Sequence, residues 1–115
     1  MMTYEFDEEN AVIHLRASGT LVASDPINYF QQLDADSEFR PKAEERVYFT
    51  ELEDIAFSYS DILLIKHAYQ QNHHGEKLSR VIFITDSDLS FGMARMVVSI
   101  FGEVFEDVAI ERLDQ

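Results

Sequence analysis

The chain contains no cysteine, which removes disulfides, thiolate metal sites and cysteine nucleophiles together. It is also poor in base. Nine lysines and arginines stand against 22 acids, a formal net charge of −13. A field of that sign repels phosphate backbones and anionic membrane surfaces. The bases are scattered between Arg16 and Arg112, not gathered into the patch that a nucleic-acid site needs. The four glycines, at positions 19, 75, 92 and 102, are too dispersed for a dinucleotide fingerprint or a phosphate-binding loop. There is no Gly-x-Ser-x-Gly elbow for a serine nucleophile. Long apolar runs are missing too: Val81-Ile82-Phe83-Ile84 is far too short to span a bilayer. The opening MMTYEFDEEN is acidic and does not read as a signal peptide. The expectation is a cytoplasmic protein with no integral membrane association, no nucleic-acid partner, no cofactor and no enzymatic activity.

What is present suffices for an ordinary core. The 115 residues are 46% hydrophobic and read as one domain over 1–115, with no need of a metal or disulfide staple. Tyr4 and Phe6, then Ile13, Leu15 and Ala17, alternate with polar neighbours and predict two strands joined by the turn Asp7–Asn10, an antiparallel hairpin. Gly19 marks the exit from the second strand. Ser24 or Asp25 suits the cap of a helix carrying Pro26 in its first turn and Ile27, Phe30 and Leu33 at helical spacing. Asp36 to Glu45 reads as a polar connection, with Phe39 anchored in the core. Arg46 to Glu51 predicts a third strand, apolar on both faces and so covered on both sides, ending in an acidic turn at Leu52-Glu53-Asp54. Ser60 precedes a helical pattern through Ile62, Ile65 and Tyr69, with Leu64 and Ala68 beside it, that stops near His73-His74-Gly75. Arg80 to Thr85 is apolar enough for a central strand. After the turn Asp86-Ser87-Asp88, Leu89, Met93, Met96, Val97, Ile100 and Phe101 form one helical stripe ending at Gly102. Val108 and Ile110 lie on a last, edge strand. The order β-β-α-β-α-β-α-β implies an α/β fold with a mixed sheet whose later strands are parallel.

That order, and four stretches within it, resemble the STAS fold of anti-sigma-factor antagonists, and more closely its SpoIIAA-like (STAS/SEC14-like) bacterial branch, whose functions are largely unassigned. The stretches are Gly19-Thr20-Leu21, Phe39-Arg40-Pro41, Val47–Glu51 leading to Ser58–Ile62, and Asp88–Met96 with its Phe91-Gly92-Met93-Ala94-Arg95-Met96 run. The resemblance implies a regulatory module that binds a protein partner. Ser60 falls on the position of the antagonists' phosphorylatable serine. Here Ser58 and Asp61 replace the aspartate and glycine that flank the family's serine pair.

Each candidate residue also has a plainer role. Ser60 at a helix N-terminus suits a phosphate and equally a helix cap. The acids Glu51, Glu53, Asp54, Asp61, Asp86 and Asp88, expected at one edge of the sheet, oppose a second negative charge there. Ligands of open α/β sheets bind beyond the carboxyl ends of strands, which predicts one neighbourhood for Ser58, Ser60, Thr85, Asp86, Ser87 and Asp88. Asp86 and Asp88 lack the glycine and distal glutamate of a calcium loop and read as a turn and cap. His14, His67, His73 and His74 contain no pair at ligating helical spacing. The candidate interaction surface is therefore Ser58, Tyr59, Asp61, Asp86, Asp88, Phe91, Gly92 and Arg95, with Phe91 as its exposed apolar contact and homodimerisation through the last helix as an option. The alternative is a small-molecule or lipid-binding module, with an apolar cavity under that helix.

Overall fold

The computed structural model describes residues 1–36, 43–72, 80–105 and 107–115. Strands β1 (Met2–Asp7), β2 (Val12–Leu21), β3 (Glu44–Ile55), β4 (Arg80–Thr85) and β5 (Val108–Arg112) form one sheet in the order β1-β2-β3-β4-β5. β1 runs antiparallel to β2 and every other neighbouring pair is parallel. Helices α1 (Ser24–Ala35), α2 (Tyr59–Asn72) and α3 (Asp88–Phe101) join the parallel strands, and a 3-10 turn, Gly102–Val104, follows α3. The predicted order and hairpin hold, and β5 lies at an edge. Strand β4 is interior, but the middle of the sheet is β3. The expected core anchor Phe39, Arg40 and Pro41, and the expected helix end at His73-His74-Gly75, lie outside the described residues.

Period-2 alternation decides which side chains face the helices. Ile13, Leu15 and Ala17 of β2, Val47 and Phe49 of β3, and Val81 and Phe83 of β4 are buried in one cluster with Tyr29 and Leu33 of α1 and Met93 and Ala94 of α3. All three helices lie on this face. Among the described residues, β3, expected to be covered on both sides, is covered by helices on one only. On its other face Tyr48 is half-buried, its hydroxyl 2.9 Å from His14 Nδ1 and its ring 4.6 Å from the Arg16 guanidinium. Neighbouring side chains, not a second helix layer, shelter that ring.

Two boundaries differ from expectation for one reason. Gly19 does not end β2, and Leu52-Glu53-Asp54 is no turn. Both segments continue as paired strand, with Gly19 opposite Leu52 and Leu21 opposite Ile55. The register shifts twice between Arg16 and Thr20. Gly19 has φ +66°, a left-handed conformation that glycine adopts without steric cost. The bulge lets the pairing continue and buries Leu52.

Candidate functional site

The extension of β3 divides the expected site. Tyr48 is level with Ile84, one residue before β4 ends, whereas β3 runs seven residues further to Ile55. Those seven residues carry two bulges and are matched on β2 by five, Arg16 to Leu21, so at about 3.3 Å per residue the two carboxyl ends differ in level by roughly 13 Å along the strand. The single neighbourhood predicted for Ser58, Ser60, Thr85, Asp86, Ser87 and Asp88 is therefore two places, one at the head of α2 and one at the head of α3.

At the head of α2, Ser58 is the cap and Ser60 is not. Ser58 Oγ accepts from the Asp61 N–H at 3.2 Å, and Asp61 Oδ2 accepts from the Ser58 N–H at 2.9 Å. This reciprocal pair is a capping box with aspartate at its third position. Ser60 lies within the first turn, exposed, its Oγ 3.1 Å from Ser58 Oγ. The helix then buries Ile65 and Tyr69 but exposes Tyr59 (78%), Leu63 (51%) and Leu64 (58%). Leu64, expected beside the buried row, faces solvent. Tyr59 and Leu63 stand four apart and are neighbours on the helix surface, and Leu64 lies about 100° round from Leu63 on the same solvent-facing half.

At the head of α3 the caps are reciprocal as well. Ser87 Oγ accepts from the Ser90 N–H at 3.1 Å, and Ser90 Oγ accepts from the N–H groups of Asp86 and Ser87 at 3.0 and 3.1 Å. Ser90 is buried. This head is clamped from β5, where Arg112 donates to Asp88 at 3.0 Å and to Asp114 at 2.6 and 2.9 Å. These bonds hold the Asp114 carboxyl below its ordinary range. The Arg112 guanidinium also lies 4.8 Å from the Phe91 ring centre, with Arg95 at 5.9 Å. Phe91 is thus half-buried between two arginines, and the exposed apolar side chain of this head is Leu89. Gly92 and Arg95 are exposed beside it.

Sequence reasoning missed Glu45, assigned to a polar connection. It is the second residue of β3 and alternates with Val47 and Phe49 onto the helix face, 6% exposed. The alternation Glu45-Val47-Phe49 was the available signal. Tyr29 donates to Glu45 Oε2 at 2.5 Å. Loss of water pushes the Glu45 carboxyl up to about 7, against the opposing pull of that hydrogen bond. The same burial raises the hydroxyls of Tyr29 and Tyr69 above the ordinary tyrosine range, with the charge of Glu45 adding to it. Glu45 lines an apolar cavity of about 80 Å³ between the sheet and the three helices, reaching Val97 and Phe101 under the end of α3. The pocket reaches the place under the last helix where the alternative reading expects one. It is small and carries one ionisable carboxyl.

Among the described residues no helix is long and apolar enough to cross a membrane, and no group of three or more histidines and carboxylates is placed to hold a metal ion.

No protein-family model matches the chain, and no curated protein matches it. Among solved structures, it is similar over its whole length to an uncharacterized protein of the DUF3478 family from Shewanella loihica PV-4, described as having a SpoIIAA-like fold. The TM-score is 0.59 at 15% identity, and the match covers 86% of that chain. At that identity the likeness concerns the backbone, and the sheet order, the single antiparallel pair and the helices on one face give this chain a SpoIIAA-like fold.

Proposed function

We propose that the protein is a non-enzymatic regulatory module that binds a protein partner through the outer face of α2. The observation that carries this reading is the exposure of Tyr59, Leu63 and Leu64 within two turns on the solvent-facing half of a helix. Isolated exposed apolar residues need no explanation, but the adjacent pair Tyr59 and Leu63 with Leu64 beside it leaves contact area that a partner can cover. The segment leading into this helix is acidic: Glu51, Glu53 and Asp54, all exposed at the end of β3, precede it, and Asp61 lies in its first turn. With a net charge of −13, a second copy meets this face against like charge. A partner with an apolar spot ringed by lysine or arginine meets it with complementary charge. The serines at both helix heads bond to one another, to backbone and to aspartate, an arrangement of caps and not of a nucleophile with its base. The same acids oppose phosphate at Ser60.

The test uses charge substitutions. The double variant Leu63→Asp/Leu64→Asp is compared with wild type and with Leu89→Asp in affinity capture from the source cell. The reading expects a protein retained by wild type and by Leu89→Asp and lost from the double variant. Equal retention by all three, or a dimeric mass for purified wild type that the double variant abolishes, overturns it, the second outcome in favour of homodimerisation.

The small-molecule reading has one observation in its favour, the cavity at Glu45. Its size argues against a lipid. An apolar cavity of about 150 Å³ accepts benzene, so about 80 Å³ accepts roughly half as many heavy atoms, too few for an acyl chain.

A further inference from the structure

A carboxyl inside an apolar cavity is costly unless something meets it. Glu45 Oε2 has the Tyr29 hydroxyl. Oε1 has no hydrogen-bond partner among the described residues, although the side chain is more than nine-tenths buried. What surrounds it is aromatic. Tyr29, Phe30, Tyr69 and Phe105 all line the cavity, and their rings form a continuous chain with centre spacings of 5.8, 5.3 and 5.5 Å. Among the lining residues, Glu45 is the one whose charged form is anionic at neutral pH, and none is basic. The faces of aromatic rings carry partial negative charge and attract cations most strongly where water is excluded. A lone carboxylate with an unused oxygen in a cavity lined in part by aromatic rings therefore favours positive charge on a small body.

We propose that this cavity is a site for a small organic cation, a primary ammonium of about three heavy atoms, paired to Glu45 Oε1 and packed against the rings of Tyr29 and Tyr69. The proposal rests on the reading that the cavity admits a molecule, and it names that molecule's chemistry. Ammonium N–H groups satisfy the unused oxygen, and the alkyl part fills apolar volume.

The site has a built-in dependence on pH. The charged form of Glu45 binds the cation, and that form is lost as pH falls through about 7. The titratable groups facing Glu45 are Tyr29 from α1 and Tyr69 from α2, both neutral throughout this range. α3 and the turn after it face the cavity with Val97, Phe101, Val104 and Phe105.

The experiment is titration of the full chain with ethylammonium, followed through the ring resonances of Tyr29 and Tyr69. Ethanol serves as the neutral isostere. The expected result is saturable binding in the millimolar range at pH 8, the scale open to so small a ligand. Affinity should weaken toward tenfold for each unit of pH below 7, with a loss of at least tenfold in Glu45→Gln. Ethanol should bind without that pH dependence. Three results overturn the proposal. If ethylammonium and ethanol bind alike at every pH, the cavity reading stands and the cation chemistry falls. If neither shifts the ring resonances, both fall. If ethylammonium shifts surface carboxylates alone and is displaced by salt, the cation is held outside the cavity. Should Glu45→Gln fail to fold, the wild-type pH profile decides.

Discussion

The heads of α2 and α3 are built from the same parts. Each has a serine cap, a reciprocal hydrogen bond three residues on, an aspartate in the first turn and large apolar side chains close by. They differ in what lies over them. Arg112 reaches across from β5 to clamp Asp88 and cover Phe91, and Ser90 is buried under the turn it supports. Over α2 the described residues place no such clamp, and Tyr59, Leu63 and Leu64 face solvent. One head is completed by its own chain. The other leaves a helix face open to solvent, the face to which we assign the proposed partner. Cap chemistry alone therefore does not distinguish a covered helix start from an open one. The distinction comes from the strand that ends beside it.

The comparison is sharpened first by its common reference, the interior beneath both helices, where the largest effect is expected. The Glu45 carboxyl titrates near 4.5 in an unfolded chain and about 7 in the folded one. Below 4.5 it is neutral in both states and costs nothing. Between 4.5 and 7 the unfolded state ionises first, so stability falls as pH rises, by roughly 3 kcal/mol in total, and is level above 7. Denaturant unfolding across pH 4 to 8 should show that slope in wild type and lose it in Glu45→Gln.

Next comes the packing of the two helices. Met93→Ala, at the buried side of α3, should cost about 2–4 kcal/mol. Leu64→Ala on α2 should change stability by no more than about 0.5 kcal/mol. Equal losses in thermal unfolding would mean that Leu64 packs against its own chain and that the α2 face is not free.

The smallest difference between the two heads is in the caps. Ser90→Ala leaves two N–H groups without their acceptor in a partly buried turn and should cost about 2 kcal/mol. Ser58→Ala, at an exposed turn, should cost about 1 kcal/mol or less. A reversed order would break the contrast between a buried and an open helix head.

The order of elements was legible because periods of 2 and 3.6 residues repeat cleanly in segments such as Tyr4–Asp7, Arg80–Thr85 and Leu89–Phe101. Strand ends were not legible. Glu53 and Asp54 read as a turn from their charge, yet Asp54 pairs with Thr20 and Glu53 is the extra residue of a bulge that lets β3 continue beside Gly19. That error also merged two sites into one, because the length of β3 sets how far the head of α2 stands from the head of α3. Glu45 was hidden by its polarity, since nothing in a glutamate says that it will be buried against Tyr29. The Arg112 clamp joins residues 24 positions apart through a strand pairing, which no local pattern reveals. Leu63 and Leu64 were ambiguous for a simpler reason. Apolar residues occur all around α2, so its buried side is chosen by the sheet and by α1.

The account stands most directly on the outer face of α2. A photo-activatable aromatic residue placed at Leu64, and in a second experiment at Leu89, reads that face and the head of α3 in the source cell under one set of conditions. The account predicts a discrete covalent adduct with a different protein from position 64 and none of comparable yield from position 89. No adduct at 64, equal adducts at both positions, or an adduct at 64 with the mass of two copies of this chain would contradict it.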